Sequence, residues 1–335
     1  MSFFYPDNIQ PMREANALRD DVTALRAQMD EDGYLLFRNA IDPHKLTVLR
    51  EQITTILAGI GWILGDEQQL DARAAGLPQR EGEEGYFEAH DKIVKLEAFH
   101  ALAHDEKLMH IIRQSLGEDV FAHPLSIVRL VFPNNPEITT PPHQDYPNNQ
   151  GSEKLTAAWI PLHDCPIEMG ALAILKGSHK NGLLPLQFHM GPGNRCAVIP
   201  QTMHELEWVS TDFQVGDVLL FPALTVHSAL ENKDPERMRL SVDYRYQLEG
   251  EALTENSLKP HFSRLSWEEI YRDWQSTDLQ YYWYKKRFDV IPWQNLHELP
   301  DDHVKDAMKQ CIRYENKRQQ RYAENRLHHH EDKAV

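Results

Sequence analysis

The sequence predicts a mainly β chain, folded as a sandwich or barrel, with helical segments on either side. The middle of the chain, about residues 119–248, consists of short apolar runs separated by Pro, Gly, Asn and Asp, which is typical of such folds. Before it, apolar residues recur at helical spacing, and after it, aromatic residues do. We therefore divide the chain into a helical N-terminal region (1–118), a β core (119–248) and a helical C-terminal extension (249–335).

The N-terminal region is expected to pack on the core. Its first helix is predicted to stop at Asp32-Gly33, where the helical spacing of apolar residues ends, and Tyr34–Phe37 predicts a strand. Pro43 predicts the start of the next helix, because the first turn of a helix leaves its N–H groups unpaired anyway. Residues 66–91 hold many charges and glycines, and we expect them to form a loop or lid that covers a pocket.

The core contains five apolar runs that predict strands: Ser126–Phe132, Leu155–Leu162, Ala171–Leu175, Val218–Phe221 and Leu240–Tyr246. In the last run apolar residues alternate with a polar set that extends from Arg239 to Gln247, so one face of the strand is apolar and the other polar. Two interpretations fit this alternation. The strand lies at a wet sheet edge, or its polar face lines a ligand cavity inside a barrel.

The C-terminal extension is rich in aromatic residues. Trp267, Ile270, Tyr271 and Trp274 share one helical face, which predicts packing or a subunit contact. A homodimer through these helices is therefore a possible assembly. We also expect the aromatic stretch near Trp283 to cover the pocket.

Composition and charge exclude several classes of function. The 335 residues are 41% apolar, and the formal charge is −16, which argues against binding to nucleic acid or an anionic membrane surface. No apolar run approaches the roughly 20 residues that span a bilayer. The N-terminus lacks the features of a signal peptide, and the three cysteines form no C-x-x-C pair. We expect a reduced, cytoplasmic protein that acts on a small molecule.

The motif with the clearest chemistry is Pro141-Pro142-His143-Gln144-Asp145. Residues two apart on a strand point to the same face, so His143 and Asp145 can bind one metal ion. His227 follows the predicted strand Val218–Phe221 and supplies a second imidazole. Two histidines and one carboxylate suit ferrous iron with three open positions, although zinc also accepts this set.

A series of motifs in residues 30–247 resembles the phytanoyl-CoA dioxygenase family of iron(II)/2-oxoglutarate oxygenases. These motifs are, in order, Asp32–Pro43, Leu116–Val120, His143-Gln144-Asp145, Trp159–Leu162, Gly170–His179, His227 and Arg239–Asp243. The resemblance implies a double-stranded β-helix core of the jelly-roll or cupin-like kind, with helical N- and C-terminal extensions.

The resemblance also assigns roles to residues. It implies that His143, Asp145 and His227 are the iron ligands, and that Trp159 packs beside 2-oxoglutarate. Arg239 is the expected partner of the distal carboxylate of 2-oxoglutarate, with Arg237 as the alternative. We favour Arg239 because Leu-Ser-Val-Asp follows it.

One position differs from the family. Ala229 stands where the family often has a serine, and we expect Ser228 or Thr225 to replace its hydrogen bond to 2-oxoglutarate. Arg129, on the strand before the metal motif, is predicted to contact a substrate or co-substrate carboxylate, or else to form a structural ion pair. His179 is predicted to be structural.

The implied activity is oxidation of an unactivated C–H bond, by hydroxylation or a related reaction, in a small metabolite or natural-product intermediate. The implied cofactors are Fe(II), 2-oxoglutarate and O2, with release of succinate and CO2. Asp145 favours hydroxylation over halogenation, because related halogenases lack this carboxylate. Two alternatives stay open: a zinc- or manganese-dependent hydrolase or isomerase, and a non-catalytic barrel that binds a small molecule.

Overall fold

The computed structural model describes residues 6–66, 68–136, 139–188, 195–294 and 296. The strands are β1 (Gln10–Pro11), β2 (Leu35–Phe37), β3 (Val120–Ala122), β4 (Ile127–Val131), β5 (Thr156–Pro161), β6 (Leu172–Leu175), β7 (Leu186–Phe188), β8 (Arg195–Ala197), β9 (Trp208–Ser210), β10 (Val218–Pro222), β11 (His227–Ala229), β12 (Arg239–Leu248), β13 (Ala252–Thr254) and β14 (Asp289–Ile291). The α-helices are α1 (Val22–Asp32), α2 (Pro43–Gly59), α3 (Glu84–Ile93), α4 (Glu97–Ala101), α5 (Glu106–Leu116), α6 (Tyr146–Asn149) and α7 (Trp267–Tyr271).

Two sheets form the mainly β core. The larger sheet has the order β2-β10-β5-β12-β3, and β4 also pairs with β12. The smaller sheet has the order β1-β9-β6-β11. Each of the five apolar runs predicted as strands forms one, namely β4, β5, β6, β10 and β12.

Strand β12 lies inside the larger sheet. It pairs with β5 on one side and with β3 and β4 on the other. Asp243 on β12 therefore has Trp159 and Ile127 as its cross-strand neighbours. The wet-edge interpretation of this strand is wrong, because both of its sides are paired and its polar residues are buried.

The two faces of the larger sheet pack on different partners. Leu240, Val242, Tyr244 and Tyr246 share a core with residues of the helices α1 to α5. The opposite face carries Trp159, which shares a second core with residues of the smaller sheet such as Ile174. The period of two along each strand thus separates a helix-facing layer from a layer between the sheets.

Local sequence signals account for the helix boundaries near the N-terminus. The carboxylate of Asp42 accepts a hydrogen bond from His44 N (3.0 Å), and Pro43 is in the first turn of α2. Helix α1 ends at Asp32 and is followed by Gly33, whose φ of 76° is left-handed, a conformation that costs a glycine little.

The described part of the C-terminal segment differs from the expected helical extension. Its described residues contain the five-residue helix α7, several 3₁₀ turns and the parallel pair β13–β14. Its aromatic residues pack against α4 and one another, as Trp274 does on His100 (5.2 Å between ring centroids). Residues 297–335 lie outside the described residues. No helix in the described part of the chain is both long and apolar enough to cross a bilayer.

Candidate metal centre

His143, Asp145 and His227 meet in one cluster between the sheets. One donor atom from each lies within 4.8 Å of the others, and all three residues are buried. Asp145 Oδ1 is 3.9 Å from His143 Nε2 and 3.8 Å from His227 Nε2. A single ion between these atoms is therefore within reach of all three side chains.

Backbone pairing and a sharp turn place the three residues. His227 begins β11 and forms an isolated antiparallel bridge with His143. Asp145 does not continue this extended segment, because its φ and ψ of −72° and −29° are helical and it caps α6. The expectation that His143 and Asp145 share a strand face is therefore wrong in detail, and the turn into α6 brings the carboxylate back to the imidazoles.

Both imidazoles present a free nitrogen to the centre. His143 Nδ1 is 2.7 Å from Pro141 O, and His227 Nδ1 is 3.0 Å from Thr225 O. Because a carbonyl oxygen only accepts, each Nδ1 carries the proton and each Nε2 keeps its lone pair. Burial lowers the pKa of His143 to about 3, with a further contribution from His227, and burial also lowers the pKa of His227. Neutral imidazole is the form that binds a metal.

Asp145 is held as an anion. Burial alone would raise its pKa, but Arg245, together with the smaller effects of His227, His143 and Arg129, outweighs burial, and the pKa of Asp145 falls to about 2. Arg245 Nη2 lies 2.8 Å from Asp145 Oδ2, although the contact lacks hydrogen-bond geometry. Oδ1 is left facing the histidines, so the donor set is one carboxylate and two neutral imidazoles, which fits a divalent metal such as ferrous iron.

A second group of side chains lines the same cavity. Arg239 Nη1 donates a hydrogen bond to Ser241 Oγ (2.9 Å), and Trp159 Nε1 donates to the same oxygen (3.1 Å). The Arg239 guanidinium carbon is 5.9 Å from the centroid of the Trp159 ring. Arg237 instead forms an ion pair with Asp234 and is 44% exposed. Of the two candidate arginines, Arg239 is the one that reaches the cavity.

The hydroxyls of Ser228 and Thr225, one of which is expected to bond 2-oxoglutarate, both donate to backbone carbonyls. Ser228 Oγ donates to Thr140 O (3.1 Å), and Thr225 Oγ1 donates to Gly33 O (2.9 Å), so both hydroxyls are engaged elsewhere. Ser241 on β12 has its hydroxyl beside Arg239 and Trp159. Ser241 belongs to the polar residues that alternate along β12, and this alternation is the feature of the sequence that could have indicated it.

Comparison with known proteins now identifies the family. The family model of phytanoyl-CoA dioxygenase (PhyH) matches residues 29–240, more than half of the chain. The chain belongs to the phytanoyl-CoA dioxygenase family. It is a non-haem iron(II)/2-oxoglutarate-dependent oxygenase, with Fe(II), 2-oxoglutarate and O2 as its metal and co-substrates.

Relatives of this oxygenase include two bacterial hydroxylases and one solved structure. The chain is 26% identical to a 1-deoxypentalenic acid 11-beta-hydroxylase of Streptomyces exfoliatus, over 76% of this chain and 91% of the relative. It is 27% identical to the enzyme of the same name from Streptomyces arenae, with the same coverage. The structure of the epimerase SnoN in complex with Fe3+, alpha ketoglutarate and nogalamycin RO matches with a TM-score of 0.51 at 20% identity, over 69% of this chain and 85% of SnoN. This likeness supports a cupin-like fold.

Arg129 also faces the cavity of the oxygenase. Its Nε donates to Asp243 Oδ2 (2.8 Å), and its Nη1 donates to Glu81 Oε2 (2.6 Å). Glu81 belongs to the predicted loop 66–91, whose residues 84–91 form most of α3. Trp283 is 2% exposed and packs on Trp267, so the expected cover near Trp283 does not line the cavity.

His179, which was predicted to be structural, and three further buried or partly buried residues do not belong to the metal cluster. His179 Nε2 is 3.1 Å from Asp30 O, beside the helix α1 end. His163 Nε2 accepts the N–H of Leu240 (3.0 Å). Cys165 and Cys196 are buried, and burial raises the pKa of each thiol to about 12, so neither is a reactive thiolate.

Proposed function

We propose that His143, Asp145 and His227 bind the ferrous ion and that Arg239 binds the distal carboxylate of 2-oxoglutarate beside Trp159. The enzyme then hydroxylates, or otherwise oxidises, an unactivated C–H bond of a small metabolite or natural-product intermediate and releases succinate and CO2. One observation carries this proposal. The donor atoms of His143, Asp145 and His227 lie within 4.8 Å of one another, and the two histidines line the same cavity as the buried Arg239.

The protein contributes binding, orientation and exclusion of water. When bound, iron and 2-oxoglutarate together supply the power to oxidise a C–H bond, with 2-oxoglutarate losing CO2. Three protein ligands leave three positions for the co-substrates. Arg239 presents a fork to a carboxylate, and Trp159 and Ser241 fix its guanidinium. All these groups are buried, which keeps water from the reacting atoms.

The relatives favour hydroxylation of an organic small molecule. Both named hydroxylases act on 1-deoxypentalenic acid, and the chain covers 91% of each. A zinc-dependent hydrolase or isomerase on the same barrel is not favoured. Such an enzyme needs no 2-oxoglutarate, so the buried Arg239 would have no carboxylate to bind.

We further propose that residues 1–118 pack as a helical region on a double-stranded β-helix core at 119–248, and that the chain after residue 248 is a separate C-terminal extension of this core. The shared core of α1 to α5 and the larger sheet supports the first contact. Exposed apolar side chains near the end of the described chain, Val290 (54%) and Trp293 (37%), support a homodimer through this extension. The two buried free cysteines agree with a cytoplasmic location.

An anaerobic titration tests the activity. Metal-stripped protein receives ferrous iron and then 2-oxoglutarate, and visible absorption is recorded after each addition. We expect a weak charge-transfer band that requires both additions. His143→Ala abolishes the band, while His110→Ala, at an exposed histidine, retains it. Tight zinc binding without any iron–2-oxoglutarate band would contradict the proposal.

A further inference from the structure

We propose that Arg129 is a subsite for a carboxylate group of the substrate, and that Glu81 occupies this subsite until the substrate displaces it. This inference rests on the proposed function, because it places the substrate in the cavity that holds the metal residues. It adds the class of substrate, an organic acid, and the residues that recognise it.

The cavity contains three arginines, and two of them already have roles. Arg245 pairs with the metal-facing Asp145, and Arg239 is the proposed partner of 2-oxoglutarate. Arg129 contacts neither group. It uses Nε for Asp243 and Nη1 for Glu81, and its Nη2 makes no hydrogen bond among the described residues. The third arginine therefore has a nitrogen available to a ligand in the cavity.

The two carboxylates on Arg129 are held differently. Asp243 is on β12, which is hydrogen-bonded on both sides, and its side chain is 7% exposed. Glu81 is in a turn closed by the hydrogen bond from Glu83 N to Arg80 O (3.0 Å), and its side chain is 13% exposed. The next residue, Gly82, has a φ of 89° and open space around its Cβ position. Asp243 is thus held on a strand that is paired on both sides, whereas Glu81 lies in a turn outside the sheet and is the more exposed of the two.

Exchange of Glu81 for a substrate carboxylate preserves the charge of the cavity. Asp243 and Arg129 form a neutral pair, and either carboxylate completes the same three-group arrangement. Burying an unpaired charge is costly, and this exchange leaves none, because the departing Glu81 returns to solvent. A guanidinium also binds a carboxylate through two parallel hydrogen bonds, which fixes the orientation of an acid better than that of an alcohol or an amide.

Binding of matched probes tests the subsite. The full-length protein is loaded anaerobically with ferrous iron and 2-oxoglutarate, and the charge-transfer band is verified first. Cyclohexanecarboxylate and adamantane-1-carboxylate are then titrated by calorimetry, each beside its primary amide and its aminomethyl analogue. We expect the acids to bind about tenfold more tightly than the amides, the factor for one charge-assisted hydrogen bond.

Substitutions of Arg129 and Glu81 distinguish the contributions of these two residues to binding of the acid probes. Arg129→Gln is expected to abolish the preference for acids, and Glu81→Gln to strengthen acid binding several-fold by removing the competing carboxylate. Glu84→Gln, an exposed glutamate three residues away, is the matched control and leaves binding unchanged. Arg129→Gln removes the cation that pairs with the buried carboxylate of Asp243. The double variant Arg129→Gln/Asp243→Asn removes both charges, so it provides a second measurement in a pocket without an unpaired charge.

Several results would overturn the inference. They are an acid preference that survives in both Arg129 variants, tighter binding of the amines than of the acids, and no probe binding by protein that shows the band. An unchanged affinity in Glu81→Gln would overturn the displacement step. Absence of the band itself would instead count against the proposed function, so the two failures are distinguishable.

Discussion

His143 and His227 exchange backbone hydrogen bonds: the N–H of each donates to the carbonyl oxygen of the other, at 2.9 Å in both directions. Their rings consequently lie 4.1 Å apart between centroids. Two of the three proposed ligands are thus fixed to each other by the main chain, before any metal is bound. Asp145 has no such link and depends on the turn into α6 and on Arg245.

This difference predicts that Arg245 positions the third ligand. Arg245→Gln removes the charge that lies 2.8 Å from Asp145 Oδ2, and we expect iron(II) affinity to fall about 10–100-fold, as for other groups behind a metal ligand. Arg245→Lys keeps the charge and should recover part of the loss. Anaerobic competition with a chelator measures the affinity. Equal affinities for wild type and Arg245→Gln would show that the turn alone holds Asp145.

Arg239 and Arg237 form a matched pair for testing co-substrate binding. Arg239 is 3% exposed and lines the cavity, whereas Arg237 is paired with Asp234 at the surface. We expect Arg239→Met to weaken 2-oxoglutarate binding about 10–100-fold, the range for loss of a charged hydrogen-bonding partner. Arg237→Met should change it less than twofold. Titration of the visible band with 2-oxoglutarate provides both constants, and the reverse ranking would assign the co-substrate to Arg237.

The strand that lines the cavity and the helix boundaries near the N-terminus could be predicted from the sequence, because both follow from local patterns. The alternation from Arg239 to Gln247 required a strand with one polar face. In the structure the helices cover the apolar face of this strand and the smaller sheet covers the polar face, so the polar residues line a cavity between the sheets. Pro43 and Gly33 marked helix boundaries through backbone constraints that act within a few residues.

The contacts that the sequence did not predict join distant segments. The pairs Glu81–Arg129 and Arg245–Asp145 depend on the path of a loop and of a turn, and a charged residue in a sequence carries no sign of its partner. The backbone of Asp145 was also mispredicted, because the motif specifies two metal-binding side chains without specifying the turn that brings them together.

Two tyrosines on the helix-facing side of β12 are predicted to hold the helical region on the core. The hydroxyl of Tyr244 donates to Phe99 O (2.6 Å), and that of Tyr246 donates to Ala103 O (2.7 Å). Replacing either by Phe removes a buried hydrogen bond and should lower the free energy of unfolding by about 1–2 kcal/mol. Tyr284→Phe, at a 74% exposed site, should be neutral. Urea unfolding of the three variants checks this, and losses no larger than that of Tyr284→Phe would contradict it.

His163 is predicted to make stability depend on pH. Its Nδ1 faces Asp164 O (2.8 Å) and its Nε2 accepts the N–H of Leu240 (3.0 Å), so protonation of Nε2 would break the hydrogen bond to β12. Burial lowers the pKa of His163 to about 4, whereas an unfolded histidine titrates near about 6.5. Between these values the unfolded chain binds one more proton than the folded one, so the free energy of unfolding decreases as the pH falls.

The size of this effect is set by the difference between the two pKa values. We expect His163 alone to lower the free energy of unfolding by about 1–2 kcal/mol between pH 7 and pH 5. His163→Gln still offers an acceptor to Leu240 N but does not titrate, so its stability should fall less over this range. His110→Gln, at an exposed histidine, should retain the wild-type dependence. Urea unfolding of metal-free protein at pH 7, 6 and 5 makes the comparison, and parallel curves for wild type and His163→Gln would show that folding does not lower the pKa of His163.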